Sequence, residues 1–235
     1  MSELNCATLQ STVETAARVL SVRPAQLRDR LLDDSDDIRS ENLPESLSSV
    51  VWFHATRIPK DTNFVDGLLP TPAMRPRIME CLQALALELG LCTETQWPRL
   101  VSRMWSPQLA WKESLPTADD GPHGFLVREV ILHPGDLPIY PYMRAPEYVS
   151  NLCSAIPHIG DELHEAYRQR STPAIVQFRS SEHMRGTVGC ALVYATAKLR
   201  GQPLNQECNM GFSGRGITIP FRDVLSVEWL GDVTA

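Results

Sequence analysis

An imidazole, a hydroxyl and a guanidinium stand together at His54-Ala55-Thr56-Arg57, directly after the run Val50-Val51-Trp52-Phe53. The imidazole can exchange a proton near neutrality, the hydroxyl gives a small polar contact, and the guanidinium matches a phosphate or carboxylate. That set suits an anionic nucleotide: His54 donating to a ligand oxygen, Thr56 beside it, Arg57 reaching a pyrophosphate. The plainer alternative is a partly buried histidine bonded to a loop carbonyl. A second stretch, Leu137 to Tyr148, holds Tyr140, Tyr142 and Tyr148 among several prolines. A Pro-stiffened aromatic loop can offer a flat ring to a ligand, or simply pack as a surface loop. Towards the C-terminus the acids in reach of chemistry are Glu207 and Glu228, and Arg215 in a glycine-containing loop is a candidate phosphate grip.

Other clusters read as bland. His158 and His164 lie six residues apart and do not share a helix face, so they read as solvated side chains rather than metal ligands. Six cysteines include no Cys-x-x-Cys pair, which argues against zinc. Cys81, Cys153 and Cys190 fall inside apolar helical patterns and read as buried thiols of a reducing compartment. Asp33, Asp34, Asp36 and Asp37 lack apolar neighbours that would tune them, so the stretch from Leu32 to Glu45 reads as a solvated linker.

The elements that must position these residues follow from pattern. Val50 to Phe53 has no polar alternation and fits a strand buried on both faces. After a turn at Pro59-Lys60-Asp61, Asn63 to Leu68 reads as a short helix ended by Gly67. Before this unit, helical spacing and Pro24 predict two helices, near Ala7 to Leu20 and over Pro24 to Leu32, as a packing arm. After it, helices are expected over Met74 to Leu89 and Thr93 to Trp105, as an insertion that covers a cleft. Gly124 to Leu132 reads as a strand, Pro146 to Arg170 as helix broken near Pro157, and Pro173 to Arg179 as a strand. His183 to Leu199 reads as a buried helix capped by Ser180, and Ile217 to Pro220 and Val224 to Leu230 as closing strands.

Strand, His54-Ala55-Thr56, turn, then Gly67-Leu68 resembles the first motif of the ADP-ribosyltransferase fold, in the branch related to diphtheria toxin and the poly-ADP-ribose polymerases. The closing strand, Pro220 turn and last strand are similar to the end of that fold. The resemblance implies an α+β domain with a mixed sheet over residues 46–235 and helical insertions, preceded by a helical arm and acidic linker over residues 1–45. It implies NAD as substrate, with His54 and Thr56 on the nicotinamide riboside, Arg57 nearby, and an aromatic on the ring; no tyrosine answers clearly to the branch's second motif, so the aromatic is taken on chemistry alone from the Tyr140 to Tyr148 loop, with Tyr140 and Tyr142 as cofactor-binding candidates. It also implies a macromolecular acceptor, protein or nucleic acid, as for a toxin or effector. The branch places a catalytic carboxylate just before the Pro turn, where Met210 to Gly216 holds no acid; Glu207 is the nearest substitute. That gap supports a second reading, a non-catalytic nucleotide- or protein-binding module on the same scaffold. A third is a helical interaction protein acting through Trp97, Trp105 and Trp111.

Composition is ordinary for a globular chain, with 235 residues, 43% hydrophobic and 21% charged. A net charge of −6 gives no basic footprint for general nucleic-acid binding. No apolar run approaches the ~20 residues of a membrane span, and Met1 to Ala7 has no signal-peptide character, so a cytoplasmic or delivered protein is expected.

Overall fold

The computed structural model describes residues 2–33, 47–107, 110, 120–133, 137, 139–182 and 185–231. Its backbone is a mixed six-stranded sheet flanked by helices. The longest strand, β2 (Leu47–Ile58), runs through the middle and extends beyond both ends of the run Val50 to Phe53. On one side it pairs antiparallel with β4 (Thr172–Ser180), from Val50↔Ser180 to Ile58↔Thr172. Its other edge takes β1 (Ser2–Leu4) in parallel and β3 (His123–Phe125) antiparallel. β5 (Gly211–Ser213) extends the sheet beyond β3, and β6 (Val224–Trp229) extends it beyond β4. The order is β5-β3-β2-β4-β6, with β1 beside β2.

Three apolar clusters hold the sheet in place. The main one joins Trp52, Phe178 and Phe212 to α1 (Leu9–Val19), α2 (Pro24–Leu32) and α8 (Thr187–Leu199). α1 starts where Thr8 and Ser11 form a reciprocal cap, and α2 starts on Pro24, whose missing N–H costs nothing at that position. The expected packing arm is therefore part of the principal core: Leu4, Val13 and Leu27 share the cluster with Tyr194 and Trp52. The acidic linker lies largely outside the described residues. A second cluster joins α3 (Thr71–Glu88), α4 (Trp97–Val101), α6 (Glu147–Ala155) and α7 (Gly160–Arg170). The third lies on the opposite sheet face, where Val51, Phe53, Ala55 and Ile175 pack with Ile131. Each large apolar side chain removed from water contributes about 2 kcal/mol, so Trp52, Phe53 and Phe178 fix the sheet before any polar contact acts.

Several expected elements take another form. Gly124 to Leu132 is strand only as far as Phe125 and continues as α5 (Arg128–Leu132). Leu126, Val127, Val130 and Ile131 are all buried, a spacing of four between the two pairs that fits a helix and not the alternation of a strand. α5 then presents Glu129 to α8, where Tyr194 Oη donates at 2.8 Å and Lys198 Nζ at 2.6 Å. The helix expected over Thr93 to Trp105 shortens to α4, led in by turns. Asn63 to Leu68 is turn rather than helix. Gly67 has φ +78°, and Leu68 exchanges both backbone hydrogen bonds with Ile219 at 2.9 Å. That exchange is all the strand character Ile217 to Pro220 has. α8 begins at Thr187 behind Gly186 (φ +82°), and the Ser180 hydroxyl instead accepts from the Glu182 amide.

Candidate functional site

Side chains alternate along β2, so Val50, Trp52, His54, Thr56 and Ile58 share one face. Val50 and Trp52 enter the main core under α8. His54, Thr56 and Ile58 line a cavity of about 810 Å³. One wall is the segment from Thr62 to Leu69 with the first turns of α3; another is Asp120 to His123; tyrosines Tyr142, Tyr148 and Tyr167 complete it. A volume of this order accommodates a nucleotide-sized ligand.

His54 is fixed in one tautomer. Its Nδ1 lies 2.7 Å from the carbonyl oxygen of His123, and a carbonyl can only accept, so Nδ1 carries the proton. Burial lowers the imidazole pKa to about 4, against a weaker upward pull from that bond. The ring is neutral at pH 7 and presents Nε2 as an acceptor. The donor role expected toward a ligand oxygen is thus reversed: this ring takes a hydrogen bond from a ligand O–H or N–H.

The walls are held by backbone from the end of the chain. The Gly214 amide donates to Pro122 O at 2.9 Å, and the Gly216 amide to Gly121 O at 3.0 Å, which anchors the segment presenting His123. Three residues later Ile219 pairs with Leu68. A Cβ on Gly67 would stand 1.9 Å from Ile219 O, and one on Gly214 2.7 Å from Pro122 Cδ. At Gly67 main chain meets main chain, and at Gly214 the chain meets the Pro122 ring and the Gly121 carbonyl, so neither position has room for a Cβ. The stretch from Gly214 to Ile219 is a strap across two walls of the cavity.

Of the residues singled out by type, His54, Thr56 and Tyr142 meet at the cavity. Tyr148 of the same loop joins them. Tyr140 does not line it: its hydroxyl donates to Ser150 Oγ at 2.8 Å, and its ring packs edge-on against Tyr142 at 4.9 Å. Arg57 points away, as alternation along the strand requires. Its guanidinium donates to Arg168 O at 2.7 Å, Ser171 O at 2.9 Å and Met143 O at 3.2 Å, closing the C-terminal end of α7. Tyr167 Oη donates to Arg57 O at 2.7 Å from the other side. This arginine is a buried staple and does not reach a pyrophosphate. Glu207 is exposed in a turn at Gln206–Cys208 and is not among the cavity residues. Glu228 pairs with Arg128, with Nε to Oε2 at 2.9 Å, on the opposite sheet face. Arg215 is exposed and away from the cavity.

Sequence reasoning missed Asp66, Asp120, Glu147, Arg75 and Arg77 as lining residues. Asp66 and Arg77 pair across the mouth at 2.8 Å. None of the five has a local motif; they meet only because α3, α6 and the segment before β3 converge on β2. Of the tryptophans proposed as a partner surface, Trp97 is buried in the second core, Trp105 is exposed, and Trp111 lies outside the described residues. All six cysteines are free thiols. Burial pushes Cys6 and Cys153 up to about 12. Among the described residues no group of His, Cys, Asp or Glu could hold a metal ion, and no helix is long and apolar enough to cross a membrane. No family model, no curated protein and no solved structure matches the chain.

Proposed function

We propose that the cavity beside His54 binds NAD and that the protein is an ADP-ribosyltransferase acting on a macromolecular acceptor. The supporting observation is the cavity itself, with His54 and Thr56 of the strand motif and the Gly67-Leu68 element on its walls. In this reading His54 Nε2 accepts a hydrogen bond from a ribose hydroxyl, and Tyr142 or Tyr148 lies against the nicotinamide ring. The bond from C1′ of the ribose to the nicotinamide nitrogen breaks, with the electron pair leaving on nicotinamide. An acceptor nucleophile then bonds to C1′ and loses its proton. Positive charge develops on the ribose as the nicotinamide leaves, and a fixed carboxylate lowers the energy of that transition state. Glu207 stands away from the cavity, so the carboxylate belongs to one of the lining acids Asp66, Asp120 or Glu147.

The second reading is a nucleotide-binding module without turnover. The displacement of Glu207 and the absence of an acid from Met210 to Gly216 favour it. One pair of measurements separates the two: NAD binding by calorimetry, and nicotinamide release by chromatography. Transferase chemistry requires both, each lost in His54→Ala with folding retained. Binding without release leaves the module. Neither, with a folded wild-type chain, removes NAD from consideration.

A further inference from the structure

We infer that Asp120 is the carboxylate that stabilises the positive charge formed on the ribose as nicotinamide leaves. On the transferase reading, on which this assignment rests, the choice lies among the lining acids Asp66, Asp120 and Glu147. Two of the three already have work. Asp66 is exposed, and Arg77 Nη2 meets its carboxylate at 2.8 Å with both side chains more than half accessible. Its charge is offset by the guanidinium and screened by water, so little of it reaches a ligand. Glu147 stands in the first turn of α6, where the open amides of the helix end attract a carboxylate. Asp120 is half-buried and makes no ion pair among the described residues. A carboxylate without a counter-charge on a cavity wall is the one whose field a developing cation feels most.

Electrostatic stabilisation is effective when the carboxylate is held in place before the charge appears. The main chain from Asp120 to His123 is pinned at each carbonyl. The Thr71 amide donates to Asp120 O at 2.7 Å and ties it to the start of α3. The Gly216 and Gly214 amides donate to Gly121 O and Pro122 O, and His123 O takes the proton of His54 Nδ1. Asp120 is therefore mounted on the same braced segment that orients the imidazole. Three extended residues span at most about 11 Å, so Asp120 stands within that reach of His123. While His54 Nε2 holds a ribose hydroxyl, Asp120 is placed to lie along the same sugar. The stretch from Met210 to Gly216 lacks the acid that the transferase motif would put there, yet its glycines bond to the two residues that follow Asp120. An acid missing from one segment is thus supplied in space by the segment it touches. In the reaction the C1′–N bond breaks with its electron pair on nicotinamide, which leaves neutral. The acceptor, or water in its place, bonds to C1′ and releases a proton to solvent. Asp120 forms no bond and takes no proton; it acts through its charge.

The test compares steady-state nicotinamide release from NAD, followed by chromatography, with NAD binding by calorimetry, both on the full chain. Asp120→Asn keeps the size of the side chain and removes its charge. It is expected to lower kcat about 100-fold and to leave Kd for NAD within about threefold. Asp120→Glu, which keeps the charge, should retain more turnover than Asp120→Asn, an order that a packing role would not give. Asp66→Asn and Glu147→Gln should each lower kcat by less than about tenfold. If Asp120→Asn keeps kcat within about threefold of wild type, or if either of the other variants loses more, the assignment is overturned and the transferase reading stands. If the wild-type chain releases no nicotinamide, that reading falls and this assignment falls with it.

Discussion

Replacing His54 by glutamine should remove most of one acid-sensitive component of stability, and its size follows from the ring's surroundings. The folded imidazole has its pKa lowered from 6.5 to about 4 by burial. In the unfolded chain it titrates near the ordinary value. As pH falls below about 6.5 the unfolded state takes up a proton that the folded state refuses, so stability falls with pH. The loss runs from about 6.5 down to about 4 and then levels off, because below that both states are protonated. The full window corresponds to about 3 kcal/mol, and about 2 kcal/mol is lost by pH 5. Urea unfolding of wild type and His54→Gln, measured in steps from pH 7.5 to 4, gives the difference directly and cancels the carboxylates common to both. The wild type should lose about 2 kcal/mol more than the variant between pH 7.5 and pH 5. A flat difference, or an imidazole resonance of His54 that titrates near 6.5, refutes the buried tautomer and with it the acceptor role of Nε2.

Arg57→Met should lower stability by about 3 kcal/mol by leaving the Arg168, Ser171 and Met143 carbonyls without their donor, and Arg57→Lys should recover little, since one ammonium cannot span that set; thermal unfolding checks both. Gly67→Ala should cost about 3 kcal/mol or detach the Leu68–Ile219 bridge, seen as faster hydrogen exchange at both amides, because its Cβ would meet Ile219 O at 1.9 Å. Glu207→Gln should leave NAD binding and any nicotinamide release within about twofold of wild type, whereas His54→Ala should abolish both; a large loss with Glu207→Gln would return that acid to the site.

Local pattern made the secondary elements legible where one period dominated. Val50 to Phe53 fits a strand buried on both faces, Pro24 starts α2 where a missing donor is harmless, and Pro157 separates α6 from α7. Gly124 to Leu132 reads as a strand, but the pair Leu126-Val127 returns four residues later as Val130-Ile131, which is helical spacing, and the Glu129 contacts with Tyr194 and Lys198, 65 and 69 residues away, go with the helical form. Three-residue strands such as β1 and β5 carry too little sequence to show a period at all. They are strands because β2 and β3 offer them an edge.

The site divides along the same line. His54 and Thr56 were readable because one strand carries both on one face. The same alternation, applied one residue further, turns Arg57 to the opposite face, so a triplet that looks like one ligand-binding unit is split by the geometry of its own strand. What the sequence could not display is that the glycines at 214 and 216 act through their amides rather than through a phosphate grip at Arg215. Their bonds to Gly121 and Pro122 set where His123 places its carbonyl, and that carbonyl sets the proton of His54. The ring's chemistry is therefore decided by main-chain contacts about 160 residues downstream. A substitution in the strap should reach the cavity through the His54 tautomer before it reaches any ligand contact.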